Sequence, residues 1–292
     1  MLADIANVLR CTYCQQALDV ESRTVRCKRG HSFDIARGGY LNLLPGDATS
    51  STADTSEMVA ARRAFLSAGH FEPIACALVG AIADADIDAT DGIVLDAGAG
   101  TGYYLSAVLD AMPARLGLAL DVSKRAAKVA ARSHARGSAI VADVWGRLPL
   151  ATSCAAAITC VFAPRNAEEF ARVLAPGGVF VVVTPDPAHL SGIAEPLGLL
   201  SVDPRKSERL SAKLEGAFRL IAEKSLDCVM RLTREEALAA AEMGPVAAHA
   251  THEELAARVA TLPDPASVRL AVTLRTYGLV GDRVPARQQA DA

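Results

Sequence analysis

The run Val94-Leu95-Asp96-Ala97-Gly98-Ala99-Gly100-Thr101-Gly102-Tyr103-Tyr104 constrains the fold more than any other stretch of the chain. An apolar segment ends in an acid, and glycine then takes every second position. This reads as a strand, a tight turn and a helix start. Glycine lets the backbone lie against a ligand where a Cβ would collide. The helix behind it offers free N–H groups in its first turn. The dinucleotide fingerprint G-x-G-x-x-G would need glycine at 103, where Tyr103 stands. The plainer alternative is a glycine-rich turn with no ligand, but three alternate glycines behind an acid are costly for a plain turn.

This D-x-G-x-G-x-G spacing resembles motif I of class I S-adenosylmethionine (SAM) methyltransferases. The surrounding pattern suits such a fold. Strands are expected at 93–96, 116–121, 139–142, 156–161 and 179–185, alternating with helices at 104–111, 125–132 and 167–174. That alternation predicts a parallel sheet with helices on both faces. Two later strands, 226–232 and 268–279, with helices at 234–241 and 253–260, suggest a hairpin-like pair at one sheet edge. The fold class expected is α/β, a doubly wound Rossmann-like methyltransferase domain behind a small N-terminal zinc-binding domain.

Ligands of open α/β sheets bind at the carboxyl ends of the strands. Asp96 ends the first strand and can orient the glycine turn or accept from the cofactor's ammonium through water. Asp121 ends the second and is placed for the ribose hydroxyls, or as a helix N-cap. Asp143 ends the third, where an acid can accept from the adenine amino group. The fourth strand leads into Phe162-Ala163-Pro164-Arg165-Asn166, beside the expected methyl donor. That loop lacks the Asn/Asp-Pro-Pro-aromatic pattern of enzymes acting on exocyclic amines. Nor is a cysteine placed as nucleophile for ring-carbon methylation. Direct transfer to a nitrogen or oxygen remains. His70, His189 and Asp143 are candidates to take the proton, and no catalytic residue is assigned.

The front of the chain carries a second pattern. Cys11-x2-Cys14 is followed, after twelve residues, by Cys27-x3-His31. Four such ligands at this spacing suit tetrahedral zinc held between two knuckles. A closed protein ligand set makes the metal structural, and a module of this size needs such a staple. Residues 22–46 hold five basic residues (Arg23, Arg26, Lys28, Arg29 and Arg37) against one acid, Asp34. A basic tip built from Arg23, Arg26, Lys28 and Arg29 is a candidate contact for an RNA backbone; the plainer reading is a solvated loop. Cys76, Cys154, Cys160 and Cys228 read as small core residues.

The divisions expected are a zinc-binding RNA-recognition module at 1–45, a linker and N-terminal helices at 46–90, the methyltransferase domain at 91–282, and a disordered tail at 283–292. Net charge is −3 over 292 residues, which argues against non-specific coating of nucleic acid. No apolar run is long enough to span a bilayer, and no secretory signal is visible. A cytoplasmic protein with reduced thiols is expected, with no membrane partner.

Together these stretches resemble the RlmA-type 23S rRNA (guanine-N1)-methyltransferases. The matches run nearly end to end: the four zinc ligands, residues 33–44 (FDIARGGYLNLL), 61–66 (ARRAFL), 68–71 (AGHF), the glycine turn, 120–124 (LDVSK), 162–164 (FAP), 174–178 (LAPGG), 184–185 and 189–190. Residues 141–145 and 162–166 are similar to the RlmA(II)/TlrB subtype, associated with tylosin resistance. The resemblance implies a homodimer that holds a 23S rRNA domain II hairpin between its two zinc modules, near the macrolide site. It implies that Phe71, Gly100, Thr101 and His189 line the SAM pocket, with Gly98 in the turn. Phe71 stands where another branch has tyrosine, so a stacking role carries over and a hydroxyl contact does not. Two alternatives stay open: a small-molecule methyltransferase, since fold alone does not fix substrate, and a non-catalytic SAM-binding RNA-binding protein.

Overall fold

The computed structural model describes residues 2–45, 54–200, 214 and 216–282. The expected tail at 283–292 and nearly all of the polar linker at 46–54 lie outside the described residues.

The apolar runs behind the glycine turn form one sheet. Strands β1 (Leu18–Glu21), β2 (Thr24–Cys27) and β3 (Ser32–Asp34) make a small antiparallel sheet of their own. The remaining strands are β4 (Leu41–Asn42), β5 (Ile93–Ala97), β6 (Gly117–Asp121), β7 (Gly137–Val141), β8 (Ala155–Val161), β9 (Leu174–Pro185), β10 (Phe218–Leu232) and β11 (Ala266–Leu279). They join in the order β10-β11-β9-β8-β5-β6-β7-β4. Strands β4 to β9 pair parallel, while β11 runs antiparallel to both β9 and β10. The chain passes from β5 outward to β6 and β7, then returns to the other side of β5 with β8. The topological switch therefore lies between β5 and β8, at the end of the glycine motif, where open sheets bind ligands.

Every residue of β5, β7 and β8 is buried, because a parallel strand covered on both faces needs a continuous apolar run. On one face Val94, Ala119, Val141 and Val181 pack with α2 (Glu72–Asp84), α3 (Tyr103–Ala111) and α4 (Lys124–Ala130). On the other, Leu95, Leu118, Ile140 and Phe180 pack with α5 (Ala167–Val173) and with Leu9, Leu18 and Val25 of the zinc module. The module is thus part of the main core. Its last strand, β4, extends the sheet beside β7, Arg10 N–H donates to the Pro149 carbonyl at 2.8 Å, and Ala151 N–H donates to Val8 at 2.8 Å. This continuity has no signal in the sequence, because a two-residue strand shows no periodicity.

Three further differences have physical causes. Strand β10 starts at Phe218, well before the expected 226. Its early half carries Arg219, Glu223, Lys224 and Asp227 on a largely exposed edge strand, where charge discourages pairing with other chains. Arg269 and Arg275 of β11 pair across to Asp227 and Glu223, each at 2.6 Å. Cys154 and Cys160 are buried as expected, but Cys76 and Cys228 are exposed. Cys76 falls off the apolar stripe of α2, which turns Ile74, Ala75, Leu78 and Ile82 inward, and Cys228 lies on the edge strand. Among the described residues, no single helix is long and apolar enough to cross a membrane.

Candidate cofactor pocket and zinc centre

Three left-handed residues build the turn after β5. Gly98, Gly100 and Gly102 have φ of +77°, +55° and +79°, a region that costs an L side chain roughly 1–2 kcal/mol. Two of them also lack room. A Cβ on Gly98 would collide with that of Ala163 in the loop after β8, and one on Gly102 would stand 2.5 Å from the Ser133 hydroxyl beyond α4. At Gly100 only the side chain of Arg62 stands near, at 3.4 Å. Thr101 is buried beside it.

Asp121, at the end of β6, holds this turn. Its Oδ2 accepts from Gly100 N–H and its Oδ1 from Ser123 N–H, each at 2.8 Å. Burial pushes its carboxyl up against the pull of those two amides. A carboxylate has about four acceptor positions, so two remain for hydroxyls. The N-cap of α4 is Ser123, which accepts from Ala126 N–H at 3.3 Å; the capping role considered for Asp121 belongs there.

Asp96 is 1% exposed. Thr159 of β8, its partner in the parallel register, donates to Oδ1 at 2.7 Å. Oδ2 makes no close hydrogen bond, although the Leu105 amide also bears on the carboxyl and draws it down. Burial pushes the carboxyl up to about 7 while Thr159 pulls it down. A buried acceptor without a close donor could hold an ammonium group such as the one SAM carries. Asp143 is exposed just past β7, and its Oδ1 accepts from Trp145 N–H at 2.9 Å. Asn166 ties that loop to the one after β8, donating to the carbonyls of Trp145 and Gly146 at 3.2 and 3.3 Å.

Aromatic rings stand by the loop after β8. Phe71, 2% exposed, meets Phe162 and His189 at centroid distances of 6.0 and 5.7 Å, and those two meet at 5.4 Å. Phe162 has φ +55° and stays 39% exposed, a conformation rare for a bulky residue and concentrated at functional sites. Burial draws His189 down to about 4, against the Ala271 amide. That amide donates to Nδ1 at 3.4 Å, so the proton of the neutral ring sits on Nε2. His189 therefore offers a donor there and is a poor proton acceptor at neutral pH. His70 is engaged elsewhere: its Nε2 lies 2.9 Å from Glu236, and its ring packs on Phe65. No base emerges from the three candidates. Sequence reasoning missed Thr159 and Arg62. The parallel register across from Asp96 is the signal for the first; nothing local marks the second.

The four front ligands converge. Cys14 and Cys27 Sγ are 3.6 Å apart, and His31 Nδ1 lies 3.5 Å from Cys11 Sγ and 3.4 Å from Cys27 Sγ. All four ligand atoms lie within 4.8 Å of one another. A tetrahedron with Zn–S of about 2.3 Å and Zn–N of about 2.0 Å has edges of about 3.8 and 3.5 Å, so this donor set fits zinc closely. Burial pushes Cys11 up to about 11. At Cys27 burial is outweighed by the amide of Arg29, the Cys14 thiol and the His31 amide, which draw it down to about 6.

Arg23, Arg26, Lys28 and Arg29 are all exposed, but they do not form one tip. Arg23 sits at the β1–β2 turn, Arg26 on β2, and Lys28 and Arg29 at the knuckle beyond it. At about 3.3 Å per residue they make a stripe of roughly 15–20 Å. Asp19 lies opposite Arg26 in the pairing register and tempers the charge there. A depression of 620 Å³ lined by Ile82, Ile87, Val108, Met112 and Arg115 lies at the amino ends of the strands, away from all these groups.

Comparison with known proteins agrees with this arrangement. Residues 9–52 match the family model described as RlmA, N-terminal, a zinc ribbon, and residues 94–178 match a methyltransferase domain. The chain is 47% identical over 293 residues to a Micromonospora griseorubida protein provisionally assigned as a 23S rRNA (guanine-N(1)-)-methyltransferase, covering 95% of this chain and 99% of that one. It is 42% identical over 273 residues to the 23S rRNA (guanine(748)-N(1))-methyltransferase of Streptomyces fradiae, covering 94% and 97%. A Bacillus subtilis protein, YxjB, of the same provisional assignment is 28% identical over 215 residues, 72% of this chain and 74% of that one. The chain belongs to the family of 23S rRNA (guanine-N1)-methyltransferases that carry an RlmA-type zinc ribbon and take their methyl group from SAM.

Proposed function

We propose that this enzyme methylates N1 of the guanine named for its S. fradiae relative, position 748, in a domain II hairpin of 23S rRNA near the macrolide site, and so contributes to tylosin-type macrolide resistance. The observation that carries this reading is the 42% identity to that relative over 94% of the chain, which takes in the zinc ribbon, the glycine turn and the loop after β8 together.

The residues divide the work as follows. Cys11, Cys14, Cys27 and His31 hold one structural zinc. Gly98, Gly100 and Thr101 form the floor of the SAM pocket, Asp121 takes the ribose, Asp143 the adenine amino group and Asp96 the ammonium. Phe71 and His189 close the pocket near the sulfonium. When bound, SAM supplies an electrophilic methyl on sulfur. Guanine N1 lies on the Watson–Crick edge, so the base must be unpaired or flipped to reach it. Phe162 offers an exposed ring on which such a base can stack. The N1 proton leaves to solvent as the new N–CH3 bond forms. The basic stripe of Arg23, Arg26, Lys28 and Arg29 contacts the hairpin backbone, and a homodimer brings two such stripes to one RNA. In these terms residues 1–45 recognise RNA, 46–90 are the linker and N-terminal helices that lend Phe71 to the pocket, and 91–282 carry the chemistry, in the cytoplasm where the rRNA is.

Reverse transcription tests this directly, since a methyl at N1 removes the pairing donor and halts the polymerase. A stop at guanine 748 only in cells carrying the gene is expected. A stop at another guanine overturns the position, and no new stop overturns rRNA as the substrate.

A further inference from the structure

Helix α1 (Ser56–Ser67) brings one charged side chain to the glycine turn. Arg62 lies with Nη1 3.4 Å and Cδ 3.5 Å from the place a Cβ on Gly100 would take. Its guanidinium is held from two sides. Nη2 donates at 2.8 Å to the carbonyl of Met243, the C-cap of the helix Arg234–Glu242, and so faces the negative end of a helix dipole. Nη1 meets the carboxylate of Asp54 in an ion pair, and the two side chains are only 24% and 18% exposed.

The backbone carbonyl of Asp54 accepts from the Ser123 hydroxyl at 3.5 Å, but its carboxylate caps no described helix. The N-cap of α1 is Thr55, which accepts from Met58 N–H at 3.2 Å. The Asp54 carboxylate crowds an acidic corner, since it pushes Asp121 up while Arg62 pulls it down. A carboxylate therefore already rests on Arg62 beside the turn, next to two other acids of the pocket.

The methionine end of SAM carries an ammonium and a carboxylate. The unpartnered oxygen of Asp96 suits the first. The second needs a donor, and a guanidinium fixed at one nitrogen and already turned to a carboxylate at the other is pre-organised for it. We propose that Arg62 binds the α-carboxylate of SAM, and that Asp54 fills that place only until the cofactor arrives. This rests on the SAM dependence of the family and not on which RNA is methylated, so it stands or falls apart from the rRNA reading.

Calorimetry on the full zinc-loaded chain tests it with two ligands. S-adenosylhomocysteine has the amino-acid end; 5′-methylthioadenosine has the same nucleoside without it. Arg62→Gln is expected to weaken S-adenosylhomocysteine about 10–100-fold, the range for a lost hydrogen bond to a charged group, and to leave methylthioadenosine within about twofold. Equal weakening of both ligands, or of neither, overturns the assignment. Arg62→Lys keeps the charge and loses the fork, so it should show a smaller but equally selective loss, and it covers the case in which the Gln variant fails to fold. Asp54→Ala removes the competing carboxylate and should tighten S-adenosylhomocysteine several-fold. Unchanged or weaker binding overturns the placeholder role.

Discussion

Alanine at Gly98 and at Gly100 should have different consequences, although both glycines sit in one turn with positive φ. At Gly98 the new Cβ lands inside van der Waals contact with Cβ of Ala163. The left-handed conformation costs about 1–2 kcal/mol for a residue with a Cβ, and overpacking adds about 1–3. At about 1.6 °C per kcal/mol for a chain of this size, Gly98→Ala should melt about 6 °C below wild type. At Gly100 the neighbour is the flexible end of Arg62, at 3.4 Å. Only the conformational cost applies, and Gly100→Ala should melt about 2 °C low. Ligand response separates the fold from the pocket. S-adenosylhomocysteine at about 100 times its Kd adds about 2.7 kcal/mol to the wild type, or about 4 °C. Gly100→Ala should lose most of that gain while its zinc content stays unchanged, because the Cβ stands where the backbone must approach the ligand. The assay is thermal unfolding with and without ligand, beside zinc by mass spectrometry. A full ligand gain in Gly100→Ala would remove the cofactor from this turn. A Gly98→Ala variant melting within about 2 °C of wild type would refute the close approach of the β5 turn to the loop after β8.

Three further outcomes are expected. Burial raises Asp96 from 3.8 to about 7, so between those values the folded state holds a proton that the unfolded chain has released, and stability falls as pH rises through that window. Asp96→Asn removes this slope: the variant should gain on wild type by up to about 4 kcal/mol at pH 8 and nothing at pH 4, and parallel pH profiles would show that the carboxyl does not titrate there. Cys14→Ser should release the zinc and strip hydrogen-exchange protection from Ala151, whose amide is held by Val8 of the module, while Cys228→Ser, on the exposed edge strand, leaves zinc content intact; protection retained without zinc would mean the module folds unaided. Replacing Arg26, Lys28 and Arg29 by alanine should lower the salt slope of RNA binding by about 2, and an unchanged slope would move the RNA contact off the zinc ribbon.

What the sequence could reveal follows from how far each feature depends on its neighbours in the chain. Strands β5 to β9 were legible because a parallel strand buried on both faces must be apolar throughout, and β5, β7 and β8 are buried at every position. The placing of Asp96, Asp121 and Asp143 at strand ends was legible because strand ends are local features, and the sheet topology puts those ends together. The early half of β10 was not, since an exposed edge strand replaces apolar alternation with charge. Nor was β4, whose two residues pair with β7 while Leu9 of the zinc ribbon bridges to Leu150, contacts set by segments far apart in the chain. The pocket's charge balance is wholly tertiary. Asp96, Asp121 and Asp54 converge from three separate segments, and Arg62 is steered among them by a carbonyl near the other end of the chain. No spacing within one motif encodes that. The glycine turn shapes a surface for the cofactor's backbone-facing side, but binding a zwitterionic methionine end also requires a cation beside those acids. On the proposal for Arg62, the helix ahead of the turn supplies it, which would make the N-terminal helices part of the site as much as the motif is.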